Sequence, residues 1–193
     1  MPGGASEFKG RAVALSTKQR GVLMGMIVGA ATSVVVVVGA ILFGPITLSP
    51  EATAGERLAF ALWADSFIAL WLGASIGLLA RHRFFTPEDI DGGGLSKGSE
   101  TANILQATLQ NTLEQTVLAV LVHLAWAILM PVSWMSAIPA AVILFLFGRV
   151  LFLRGYRGGA PARAVGFTLT YYPSVLMLLF VIGAAVWKVF HWS

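Results

Sequence analysis

The sequence predicts an all-α membrane protein, an antiparallel bundle of five transmembrane helices in a chain of 193 residues. Three observations carry this. First, 57% of the residues are hydrophobic and only 11% charged, and the mean hydropathy is +0.81. A soluble domain carries about 25% charged residues, so a disordered chain, a nucleic-acid-binding domain and an ordinary cytosolic enzyme are excluded. Second, the apolar residues fall in five runs, each long enough to cross a hydrocarbon core of about 30 Å. Third, the basic residues are distributed as positive-inside loops require. The net charge of +4 and pI near 9.9 therefore report loop bias and predict no nucleic-acid partner. The absence of Cys excludes disulfides, thiolate catalysis by the protein and Cys-ligated metals.

The elements follow in order. Residues 1–20 form a basic tail with Lys9, Arg11, Lys18 and Arg20 against Glu7. Helix A is predicted over 21–44, an uncharged run that ends at Gly44-Pro45-Ile46. It is too long for the apolar core of a cleavable signal, which spans about 7–15 residues. Helix B is predicted over 58–80 and contains Asp65. A polar loop over 81–100 carries Pro87-Glu88-Asp89 and Gly92–Gly94, the latter without the strand–helix context of a phosphate loop. Helix C covers 101–130, polar in its first half and apolar in its second, and Pro131 ends it. Helix D covers 133–153, a basic loop 154–164, and helix E 165–190 with Pro173 inside it. Trp187, Phe190 and Trp192 read as an interfacial aromatic anchor.

Counting Lys and Arg sets the orientation. With five alternating spans, eleven lie on the side of the N-terminus and only Arg57 and Lys188 on the other. The N-terminus is thus expected in the cytoplasm and the C-terminus outside it, and the expected location is a bacterial inner membrane. Four spans would split the basic loops between both sides.

Two small-residue stripes are expected to guide packing. Gly21, Gly25, Gly29 and Ser33 recur every four residues on helix A, and Ala69, Gly73 and Gly77 do so on helix B. Sequential helices with such stripes are expected to pack stripe to stripe. Asp65 lies one step of four before Ala69; a hydrogen-bonded structural carboxylate is the leading reading, an ion or proton site the other. His82, His123 and His191 show no metal-ligand spacing, and His123 reads as a hydrogen-bonded interior residue.

The polar half of helix C cannot face lipid, since Asn103, Gln106, Gln110, Asn111, Glu114 and Gln115 would lose water without compensation. Asn111 and Glu114 share a helix face, and Arg149 reaches the same side from helix D. With Phe152, Tyr156 and Arg163 they form a net-positive cluster suited to an anionic ligand whose other end is apolar. A structural Glu114–Arg149 pair among positive-inside arginines is the plainer reading of the same residues.

These residues resemble the MAPEG family, which contains microsomal glutathione transferases, leukotriene C synthase and microsomal prostaglandin E synthase. The family motif Asn-x-x-Glu is matched by Asn111-Thr-Leu-Glu114. The Arg and Gly-Tyr that end its third helix are matched by Arg149 and Gly155-Tyr156, and a following Arg by Arg163. Pro87-Glu88-Asp89 matches the first cytoplasmic loop of the prostaglandin synthase branch, and Pro173 a Pro early in the last helix. The resemblance covers about 58–190, so helices B to E correspond to four MAPEG-like helices and helix A is an extra N-terminal transmembrane helix.

The resemblance implies a homotrimer in lipid that binds glutathione as co-substrate and conjugates it to a lipophilic small molecule. Asn111, Glu114, Arg149, Tyr156 and Gln110 would be the glutathione-binding positions. Arg163 would be the catalytic arginine beside the thiol, where a cation lowers the thiol pKa and creates the nucleophile. The chain departs from the family pattern at Ala107, where an Arg is usual, at Gln110, where some members carry one, and at Phe152 and Phe167, where aromatic hydroxyls are expected; Tyr171 and Tyr172 are the candidate substitutes for the latter. Each lost charge-assisted contact is worth about 1.5–3 kcal/mol. A non-catalytic MAPEG-fold subunit or lipid-binding scaffold is therefore the alternative, and a small transporter built on Asp65 the third reading.

Overall fold

A computed structural model describes residues 15–45 and 48–191. The expectations for Lys9, Arg11, Ile46 and Trp192 lie outside the described residues. Five long helices make up the chain: α1 Thr17–Phe43, α2 Ala54–Phe85, α3 Glu100–Leu129, α4 Ala137–Gly155 and α5 Ala160–His191. Short 3-10 turns cover Pro87–Asp89, Val132–Trp134 and Tyr156–Gly158. All five helical segments have the length and hydropathy of membrane spans, with no strand among the described residues. The protein is an integral, multi-pass helical membrane protein.

Four helix starts differ from the expected ones by four or five residues: α4 begins at Ala137 rather than 133, because Val132–Trp134 form a 3-10 turn, while α1, α2 and α5 begin early, the first two for the same physical reason. Ser16 caps α1 and Gln19 returns the bond to the Ser16 amide, so the helix begins inside the basic tail and takes in Lys18 and Arg20. Thr53 and Glu56 form the same reciprocal box at the start of α2. Capping boxes extend a helix past its apolar run, because they satisfy amides that would otherwise need water. The early start of α5 removes most of the basic loop expected over 154–164. Helix α4 runs to Gly155, one 3-10 turn follows, and α5 begins at Ala160. Arg163 therefore sits in the first turn of α5.

The two glycine stripes do not meet, which corrects the expected pairing of the first two helices. The α1 stripe packs parallel onto α5. Gly21 faces Pro161, Gly25 faces Ala164 and Gly29 faces Thr168. A Cβ at Gly25 would stand 2.6 Å from that of Ala164, so only glycine permits this approach. Thr168 seals the contact by donating its hydroxyl across to the Gly25 carbonyl at 3.1 Å. On α2, by contrast, Gly73 and Gly77 have nothing within 4 Å of a built Cβ. A step of four advances 40° around a helix of 3.6 residues per turn. Asp65 therefore points into the bundle while Gly73 and Gly77 have rotated to its outside.

The core lies toward the C-terminal ends of α1, α3 and α5, around Val37, Ile68, Trp126, Ile138, Phe145 and Met177. Inside it Asp65 and His123 are 4% and 1% exposed and share a hydrogen bond of 2.6 Å between Oδ1 and Nδ1. His123 is the hydrogen-bonded interior residue expected, and Asp65 is its partner. At the same end the Arg57 guanidinium donates to the Met130 carbonyl beyond α3, where a cation complements the helix C-terminus.

The opposite end is organised by Asp89. It accepts from the Ser99 amide and hydroxyl, both at 2.6 Å, and lies 2.9 Å from His82 Nε2. Ser99 in turn caps α3. The Pro87-Glu88-Asp89 motif thus ties the end of α2 to the start of α3. The Ser99 hydroxyl, then its amide, and then His82 hold the Asp89 carboxyl below its ordinary value.

Candidate functional site

At the Asp89 end of the bundle, α1, α3, α4 and α5 enclose a cleft of about 480 Å³. Ligand sites span roughly 300–1,000 Å³. Its walls are Val22 and Met26 on α1, Ala107 and Asn111 on α3, Phe152 and Tyr156 at the end of α4, and Arg163, Phe167, Tyr171 and Tyr172 on α5. Arg163 is the one charged side chain among these walls, so the cleft is net positive.

The approach of α4 to α5 sets the polar part. Gly148 and Gly166 stand backbone to backbone: a Cβ at Gly148 would meet the Gly166 carbonyl at 2.8 Å and Thr170 Cγ2 at 2.7 Å. That contact brings Arg149 against Thr170. The Arg149 guanidinium is 1% exposed and donates to Asn111 Oδ1 at 2.9 Å and to Thr170 Oγ1 at 2.5 Å. It stacks between Phe145 and Phe152, with centroids at 5.6 and 4.8 Å. Buried guanidinium groups persist only where hydrogen bonds and ring faces replace water. Arg149 thus stands behind the cleft and holds Asn111, which lines the cleft, through Oδ1.

Arg163 occupies the mouth. Its guanidinium lies 4.5 Å over the Tyr156 ring and 5.8 Å from Phe152, with no carboxylate partner among the described residues. Phe152 and Tyr156 meet edge to face at 5.5 Å, which fixes the ring that carries the cation. Tyr171 and Tyr172 line the cleft, as their suggested substitution for Phe167 requires.

The structure therefore brings Asn111, Tyr156 and Arg163 to one cavity with Arg149 behind them. It separates Gln110 and Glu114 from it. Those two are exposed, bonded to each other at 3.0 Å, and the Glu114–Arg149 pair is not made. Residues three apart on a helix differ by 60° in direction, and the cleft lies on the Asn111 side. Sequence reasoning misses Thr170 behind the cleft, Val22 and Met26 on α1, and Ala164 and Thr168 on α5. The spacing of Pro161, Ala164 and Thr168, small residues on one face of α5, is the signal that α1 would dock there.

The architecture defines a helical integral membrane protein with a cationic, mostly apolar cleft between its helices. The profile of the MAPEG family matches residues 58–183, and the chain belongs to that family. No curated protein and no solved structure matches it. The matched segment begins within α2, so α1 and its contribution to the cleft lie outside it.

Proposed function

We propose that the protein is a membrane glutathione transferase-like enzyme that activates a glutathione thiol for attack on a lipophilic electrophile. The observation that carries this reading is the Arg163 guanidinium, free of any carboxylate among the described residues, held on Tyr156 at the mouth of a mostly apolar cleft. An alkyl thiol with pKa near 8.5 is only a few per cent ionised at pH 7. A guanidinium stays charged at any working pH and favours the thiolate in a partly desolvated cleft. The thiol proton passes to water. The sulfur then forms the carbon–sulfur bond, and a displaced group leaves with its bonding pair. Asn111 and Tyr156 supply polar contacts to the peptide, with Arg149 positioning Asn111.

A homotrimer is part of the proposal. Gln110 and Glu114 are exposed in the middle of a span, and a lone charge there costs about 2.5–3.5 kcal/mol. A second copy of the chain covering that face relieves the cost. The bias of the basic residues supports a cytoplasmic N-terminus and cleft mouth as part of the proposal, with a bacterial inner membrane as the location.

The test is glutathione binding by calorimetry and conjugation of a chlorinated dinitrobenzene by the protein in lipid nanodiscs. Arg163→Ala is expected to lower turnover about 100-fold or more, the scale of losing one charge-stabilising donor, and to weaken binding far less. Wild-type protein that neither binds nor conjugates glutathione contradicts the proposal. The second reading, a lipid-binding MAPEG-fold subunit without catalysis, is favoured by Ala107 in the cleft wall and by Gln110 turned out of it. Lipid occupancy of the cleft with no affinity for glutathione would select it.

A further inference from the structure

We propose that α1 forms the apolar subsite of the cleft, and that Met26 and Val22 determine which lipophilic chain it accepts. The inference rests on the functional reading above for the identity of the head group at Arg163, but not for the subsite itself. Helix α1 is held in register by contacts that leave no slack: Gly21 on Pro161, Gly25 on Ala164 and Gly29 on Thr168, with the Thr168 hydroxyl bonded to the Gly25 carbonyl. One residue on from Gly21 and Gly25, Val22 and Met26 turn toward the cavity and face Phe167 and Tyr171. Phe167 and Tyr171 stack with centroids 5.6 Å apart and make a flat wall. Between this wall and the flexible Met26 thioether, the space suits a slender alkyl chain, and Arg163 at the mouth holds the polar end. The occupant is an amphiphile with one unbranched chain and an electrophilic or anionic head.

The test uses the full chain in nanodiscs and a fatty acid carrying a mid-chain diazirine, photolysed and mapped by mass spectrometry. Saturable labelling is expected on α1 near Val22 and Met26 and on α5 near Phe167 and Tyr171. Met26→Trp fills the subsite and should cut that labelling at least tenfold. Ile27→Trp adds the same bulk on the neighbouring lipid-facing position, 56% exposed, and should leave it unchanged. In turnover, Met26→Trp should lower kcat/KM for long alkenals more than for short ones, and Met26→Ala should do the reverse, with KM for glutathione constant in both. Labelling that does not saturate, or is equal in wild type and Met26→Trp, overturns the subsite. A protein that labels as expected but does not bind glutathione retains the subsite and loses the thiol chemistry.

Discussion

Several buried polar side chains in this bundle find a partner on another helix, and those pairs, more than any single residue, shape the interior. Arg149 bonds Asn111 and Thr170, which lie 38 and 21 residues away, and His123 bonds Asp65 across 58 residues. Hydrogen bonds between membrane helices contribute about 0.6 kcal/mol on average and up to about 1.7. The Asp65–His123 bond is short and shielded from water, so Asp65→Leu should destabilise the protein by about 1–2 kcal/mol, read as a fall in thermal unfolding temperature in detergent. The Asp65→Leu/His123→Leu double variant should recover part of that loss, because neither polar group is then left alone. Additive losses would show that the two do not interact. Polar residues inside apolar runs, such as Asp65, His123 and Arg149, are visible in sequence, and the family motif picks out Asn111, Tyr156 and Arg163. Their pairing is not visible, because it depends on how each helix is rotated. That rotation sends Glu114 away from Arg149.

Among the elements, the caps and the glycine contacts decide what apolar content alone does not. Apolar runs locate all five helices, but their ends follow Ser16, Thr53 and Ser99, whose side chains accept from backbone amides. The loop between α2 and α3 adds a pH dependence. Asp89 is ionised in the folded protein to a pH below its ordinary value near 3.8. Its contribution to stability is therefore fully present above that value and is lost as pH falls through the lower folded value. Asp89→Asn should destabilise at pH 7, and the gap to wild type should narrow below about pH 4. A gap independent of pH would mean that the charge plays no part. The placement of α1 has an equally direct check. The native chain has no Cys, so Gly21→Cys with Pro161→Cys provides a single pair. A Cβ built at Gly21 lies 2.8 Å from that of Pro161, close enough for a disulfide after a small outward shift. Oxidation should close an intrachain bridge, seen as a mobility change lost on reduction. Absence of a bridge would place α1 elsewhere. The expected pairing of α1 with α2 failed because equal spacing of small residues says nothing of which partner presents the complementary face.

For the whole molecule, the family profile covers most of α2 to α5 and leaves α1 outside it. One chain does not cover Gln110 and Glu114, and native mass measurement in detergent should give three copies. A stable, fully helical monomer would contradict the trimer. Fold and membrane class were legible because lipid demands long apolar helices and allows few alternatives. The site was legible only in part, since α1 enters it through packing. The central claim is that this cleft ionises a thiol beside Arg163. The most direct measurement is the ultraviolet thiolate absorbance of glutathione bound at neutral pH to wild-type protein and to Arg163→Ala. The account predicts a thiolate signal in wild type that disappears in Arg163→Ala while glutathione remains bound. A signal of equal size in both proteins would contradict it.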